Sequence, residues 1–231
     1  MNNRRSFIVG IKSTKLSSKE KNFIKRYRPW GIILFTRNIK NIQQTQKLTS
    51  EIRKIFNDKK YPILIDQEGG RVNRLKNLIS FDNLTSELFG KKFIKNYLEF
   101  TTYYNLFIDK TSYLLRLIGV NINTCPVLDL KIKGSSNIIG DRSFSRNPKT
   151  VSKIGDICIN LFHKNGIGTV IKHIPGHGLA KVDSHYFTPV VQKELKYLGK
   201  NDFFPFKRKK SFFAMTAHII FNKIDKRNTV T

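Results

Sequence analysis

The chain has 231 residues, 43 Lys+Arg against 16 Asp+Glu, and a net charge of +27. With 39% hydrophobic and 12% aromatic residues it can build a sizeable core, which excludes a disordered chain. No apolar run approaches the roughly 20 residues a bilayer requires. The amino-terminal patch is too short for a signal peptide, and Cys125 and Cys158 offer no disulfide framework, so a cytoplasmic protein with no membrane partner is expected.

Strand-length apolar runs alternate with longer stretches of helical period. Residues 7–11 (FIVGI) read as a buried strand, and 17–27 as a helix opened by a Ser17-x-x-Glu20 capping box. Residues 31–35 (GIILF) form the second strand. The segment 41–56 is helical, with Leu48, Ile52, Ile55 and Phe56 on one face. Residues 62–66 (PILID) are the third strand, and 97–118 is a long helical pattern with room for one break. A fourth strand begins in 120–128. A helix then opens at Pro148 and ends near Gly166, followed by strands at 168–173 (GTVIKH) and 212–219 (FFAMTAHI).

This is a βα repeat with fully apolar strands, hence a parallel sheet covered by helices. Chain order alone leaves an open doubly wound sheet and a barrel both available. Polar residues gather where the strands end: Asp66, Asp129, Lys172-His173 and His218. A site built at the carboxyl ends of several strands favours a barrel. A nucleotide-binding sheet would want a glycine-rich loop after its first strand, and Ile11 is followed by Lys-Ser-Thr-Lys.

Three segments are poor core material and good chemistry. The first runs from Lys172-His173-Ile174-Pro175-Gly176-His177-Gly178 to Asp183-Ser184-His185 and holds three of the five histidines. His173-x3-His177 has helical metal-ligand spacing, yet Pro175 and Gly176 oppose a helix between them, and no metal is expected. In Asp183-x-His185 a carboxylate close to an imidazole would fix its tautomer and support its charged form, which suits a general acid/base. The second segment is Asp66-Gln67-Glu68-Gly69-Gly70-Arg71-Val72-Asn73-Arg74. A carboxylate at a strand end followed by arginines can clamp a hydroxylated ligand, or can simply brace its own loop by an Asp–Arg pair. The third, Gly140-Asp141-Arg142-Ser143-Phe144, is weaker alone.

Taken together, GIILFTRNI, ILIDQEGGRVNR, GVNINTCPVLDL, IGDRSF, KHIPGHG followed by DSH, and FFAMTAHIIF resemble the bacterial β-N-acetylhexosaminidases of glycoside hydrolase family 3. The segments occur in that family's order from residue 31 to 221. The resemblance implies a (β/α)8 TIM-barrel-type α/β fold. It also implies removal of terminal β-N-acetylglucosamine from peptidoglycan fragments by a retaining, two-step mechanism without a cofactor. By position, His185 would be the acid/base and Asp183 its partner, while Asp66, Arg74, Arg142, Lys172 and His173 would bind the sugar of a muropeptide. Ile174 stands where the family often has Phe, and Asp141 where Glu is common.

The family's nucleophile is an aspartate in a Ser-Asp-Asp-type segment. None occurs in this chain, which closes with Asn228-Thr229-Val230-Thr231. The expectation is therefore one domain over 1–231, lacking its carboxyl-terminal end. About six of eight βα units would be present, with two open sheet edges and an unfilled interior. Such a chain would be an interrupted enzyme or a sugar-binding remnant that binds without turnover. A basic polyanion-binding protein is the remaining alternative. However, the 30 Lys, 28 Ile and 20 Asn against 3 Ala resemble coding bias, and the cations are scattered from Arg4 to Arg227. No specific nucleic-acid partner is expected. Oligomeric state is not legible.

Overall fold

The computed structural model describes residues 4–135, 137–182 and 187–230, in which strands and helices alternate. In chain order they are β1 (Arg5–Gly10), α1 (Ser18–Tyr27), β2 (Pro29–Leu34), α2 (Ile42–Phe56), β3 (Ile63–Ile65), α3 (Ser86–Lys95) and α4 (Tyr97–Leu117). There follow β4 (Ile122–Asn123), α5 (Pro148–Lys164), β5 (Gly168–Ile174), β6 (Val190–Val191), α6 (Leu195–Lys200), β7 (Phe213–Thr216) and β8 (Ile220–Phe221). Six strands form one sheet in the order β1-β2-β3-β4-β5-β7, every pair parallel. A parallel β6–β8 pair stands apart.

Local chemistry sets the helix starts. Ser17 and Glu20 close the capping box of α1, and Asn41 and Asn147 accept from the first turns of α2 and α5, the latter with Pro148 at its first position. The 97–118 pattern folds as one unbroken helix. Ile32, Leu34, Ile63, Ile65 and Ile171 face these helices and belong to the main core. Their strand neighbours Ile33, Leu64, Ile122 and Val170 face the other way with Trp30 and Met215, as the two-residue period of a strand requires.

That second face is concave. The rings of Trp30 on β2 and Phe213 on β7 are 5.2 Å apart, although three strands lie between them in the sheet. The sheet is therefore an incomplete TIM-type barrel, with a cavity of about 630 Å³ lined by Phe7, Ile8, Trp30, Leu64, Phe213 and Met215 among others. Among the described residues, β1 pairs only with β2, and β7 only with β5 within that sheet.

Two expectations need correction. The 7–11 run is only partly buried: Ile11 lies in the core and Val9 packs against it, but β1 is an edge strand and Ile8 is 45% exposed, because an apolar run reports affinity for a core and not the presence of a second neighbour. The fourth strand begins within 120–128 as expected but is only two residues long, and its pairing with β5 resumes beyond it in a single Val127–Lys172 bridge. Helices α3 and α6 and the β6–β8 pair were not anticipated. No helix of the described residues is long and apolar enough to cross a membrane.

Candidate functional site

The strands deliver their polar ends to one side of the sheet. There a cavity of about 310 Å³ is lined by Asp66, Glu68, Arg74, Arg142, Lys172, His173, His177 and His218, with Ile138, Ile139 and Met215 among its apolar walls. Asp66 directly follows β3. Lys172 and His173 are consecutive in β5 and would normally point to opposite faces, but the β5–β7 register shifts between Lys172 and Ile174, and both reach the cavity.

Lys172 organises the floor. Its Nζ lies 2.6 Å from Glu68 Oε1, donates to Asp66 Oδ1 at 2.9 Å, and donates to Thr124 Oγ1 at 3.2 Å. The Thr124 hydroxyl in turn donates to Asp66. Arg142 grips Glu68 with two parallel bonds of 2.8 Å, from Nε to Oε2 and from Nη2 to Oε1. The loop carrying Arg142 is itself gathered by Arg71, whose Nη2 donates to the carbonyls of Asn137, Ile138 and Ile139 at 2.6, 2.7 and 3.0 Å. Arg74 stands further out. Its guanidinium lies 5.7 Å from the Phe35 ring centroid, and its Nη2 is 3.9 Å from Asp66.

A second buried carboxylate anchors the glycine loop after β5. Asp129 is fully buried and accepts from the His177 amide at 2.7 Å, from the His173 amide at 3.3 Å, and from His173 Nδ1 at 2.7 Å. Nδ1 must donate to this acceptor, so in the neutral ring Nε2 carries the free lone pair.

Burial opposes every charge here, and the charges are kept by one another. It pushes the Glu68 carboxyl up, but Lys172 and Arg142 outweigh it and hold the group near 2. Asp66 is likewise held below the ordinary carboxylate range by Lys172 and the Thr124 hydroxyl. Burial lowers Lys172, yet Glu68 and Asp66 raise it to about 12. Asp129 stays ionised against its burial through the His173 ring. Burial pulls the His177 imidazole down, against the pull of Asp129.

Of the residues singled out from the sequence, the structure places Asp66, Arg74, Arg142, Lys172 and His173 around one cavity. Asp183 and His185 lie outside the described residues. As for an Asp–Arg pair bracing the loop, Asp66 meets Arg74 only at 3.9 Å, and its close cation is Lys172. No role for Glu68, Thr124 or Phe35 is legible in the sequence, which offers His177 only in a metal-ligand spacing that Pro175 and Gly176 oppose. Glu68 stood inside a quoted segment, but the cations that explain it are 74 and 104 residues away. Among the described residues no group of three or more His, Cys, Asp or Glu is arranged to hold a metal.

Comparison with known proteins identifies the family and the fold. The family model described as the glycosyl hydrolase family 3 N-terminal domain matches residues 6–230. The β-hexosaminidase of Hydrogenovibrio crunogenus is 34% identical over 221 residues, covering 94% of this chain and 61% of its own length. The native structure of NagZ from Neisseria gonorrhoeae superposes with a TM-score of 0.87 at 30% identity, covering 96% of this chain and 65% of that one. The same protein in complex with N-trifluoroacetyl-D-glucosamine gives 0.84 at 29%, over 96% and 66%. The chain thus spans a little over three-fifths of the first relatives it matches, 61% and 62% of their lengths.

Proposed function

The chain belongs to the glycosyl hydrolase family 3 N-terminal domain family, and from that premise we propose that it forms the sugar-binding part of a β-N-acetylhexosaminidase. Its substrate is a terminal β-linked N-acetylglucosamine on a peptidoglycan fragment. The observation that carries the reading is the convergence of Asp66, Arg74, Arg142, Lys172 and His173 on one cavity at the carboxyl ends of the strands. A structural neighbour solved with an N-acylated glucosamine supports the substrate class.

In this reading Asp66, kept ionised by Lys172, accepts from a sugar hydroxyl, while Arg74 and Lys172 donate to sugar oxygens. Glu68 binds no sugar; it holds Lys172 and Arg142 in place. In a retaining reaction a carboxylate nucleophile would take the anomeric carbon as His185 gives a proton to the departing oxygen; water, deprotonated by His185, would then displace that carboxylate, with Asp183 orienting the ring and stabilising the imidazolium. No residue of the chain is assigned the nucleophile. The setting is the cytoplasm, where such fragments are recycled.

Calorimetric titration with N-acetylglucosamine tests the reading. Saturable binding that falls at least tenfold in Asp66→Ala and in Arg74→Ala is expected. Unchanged affinity in both variants would overturn it. Release of p-nitrophenol from the p-nitrophenyl N-acetylglucosaminide, abolished in His185→Ala, would add turnover. Binding without release marks a sugar-binding remnant.

A further inference from the structure

Asp202 follows α6, well away in sequence from every residue discussed so far, yet it sits directly beneath the glycine loop after β5. Its side chain is buried, at 1% exposure. Neither carboxyl oxygen meets a hydrogen-bonding partner in another described residue. The loop is moulded onto it. A Cβ at Gly176 would lie 2.8 Å from both the Cβ and the carbonyl oxygen of Asp202, and one at Gly178 would lie 3.2 Å from Asp202 Oδ1 and 2.5 Å from the Leu130 carbonyl. The glycines are what allow the loop to pass between Asp202 and the segment ending at Leu130.

A carboxyl group supported only by its own backbone N–H is poorly tolerated as an anion in such a place. The surroundings add to this. Asp129, across the loop, is ionised and repels a second negative charge. Of the loop's own titratable groups, the His173 ring bonds to Asp129, while His177 reaches Asp129 through its backbone amide and its imidazole feels that carboxylate only through space. The short turn after α6 brings Lys207, which donates to the Gly199 carbonyl at 2.9 Å. Burial, reinforced by Asp129, pushes the Asp202 carboxyl up to about 6.

We infer that Asp202 is a protonation-dependent positioning residue: as the neutral acid it seats the 175–182 loop against Leu130, and as the anion it loosens that seat. Two acids thus share the space under the loop, with Asp129 charged to hold the histidines and Asp202 neutral so that the loop can lie down. The consequence for sugar binding rests on the proposed function; the loop effect does not. A group whose folded value lies above its ordinary 3.8 contributes stability below that value, and loses it as pH rises through about 6.

The experiment compares the wild-type chain with Asp202→Asn, an uncharged near-isostere, and Asp202→Ala, which removes the packing. Urea unfolding between pH 4 and 8 is expected to show wild type losing roughly 100-fold in its folding equilibrium relative to Asp202→Asn as pH rises. Asp202→Ala should be weakened by a pH-independent amount. At pH 8, trypsin should cleave after Lys181 faster in wild type than in Asp202→Asn. N-acetylglucosamine affinity in wild type should decline from pH 5.5 to 7.5 and hold level in Asp202→Asn. Parallel unfolding profiles for wild type and Asp202→Asn, or equal cleavage after Lys181, would overturn the inference. Absence of sugar binding in all three proteins would sink the proposed function and leave the unfolding and cleavage results to judge Asp202.

Discussion

The ammonium of Lys172 lies 2.6 Å from a Glu68 oxygen, and neither side chain exposes more than 3% of its surface. Such a pair is held by completeness. Each ion has given up its water, and each recovers that loss only through the partners present: Asp66 and Thr124 for the lysine, Arg142 for the glutamate. Removing one member strands the rest. Glu68→Ala is expected to cost about 3–5 kcal/mol of folding free energy in urea melts. A loss under about 1 kcal/mol would show that water or movement repairs the site.

The same charges set the acid and alkaline limits of the fold. Glu68 is lowered from 4.5 to about 2, so its stabilisation is complete above 4.5 and disappears as pH falls through about 2. Asp66 and Asp129 are shifted in the same direction. Lys172 is raised from 10.5 to about 12, so its contribution persists below 10.5 and is lost as pH rises through about 12. Circular dichroism should show an acid transition that Glu68→Gln makes shallower. A wild-type acid limb identical to that of the variant would refute the assignment.

Asp129 binds the amides of His173 and His177 and one ring nitrogen, all from inside the protein. Asp129→Ala leaves these donors without an acceptor at a fully buried position. We expect about 1–3 kcal/mol lost for each orphaned group that water cannot reach, and N-acetylglucosamine affinity reduced along with it. Asp129→Asn should lose less than Asp129→Ala, since the amide oxygen still accepts. Equal losses would argue against hydrogen bonding as the cause.

Glycines on two helices predict opposite outcomes. At Gly90 in α3 a methyl group would sit 1.6 Å from the Phe144 carbonyl oxygen, backbone against backbone, so Gly90→Ala must push α3 off the loop that carries Arg142. Overpacking of this kind costs about 1–3 kcal/mol or more. At Gly199 in α6 the nearest atom is the flexible end of Lys207 at 4.0 Å, and Gly199→Ala should gain about 0.8–1.0 kcal/mol from helix propensity. A melt that rises for Gly90→Ala would contradict the first expectation, and one that falls for Gly199→Ala would contradict the second.

How much of this could be read in advance divides along lines of range. The capping box at Ser17, Asn41 at the start of α2 and Pro148 at the start of α5 act within four residues of themselves, and the sequence pattern displays them. The strand runs and their polar ends are also local signals. Helix α3 has one too, with Thr85 capping Leu88 and with Phe89 and Phe93 four apart, though the signal is short. Glu68 and Asp202 are of another kind. What makes each unusual is the set of groups the fold stacks against it, and those come from distant stretches of chain. The exposure of Ile8 was hidden for the same reason, because the pattern of a strand does not record whether a second strand will flank it.

The open flank of the sheet also governs how separate molecules meet in solution. Among the described residues β1 pairs only with β2 and β7 only with β5 in this sheet, and Ile8 and Phe213 on those two strands are 45% and 38% exposed, apolar surface that favours self-association. The net charge of +27 holds copies apart while its field reaches across the gap. That reach contracts from about 30 Å at 0.01 M salt to about 3 Å at 1 M. Light scattering should therefore rise as neutral salt is added to a solution that is clear at low ionic strength, and scattering unchanged between about 0.01 and 1 M would contradict this.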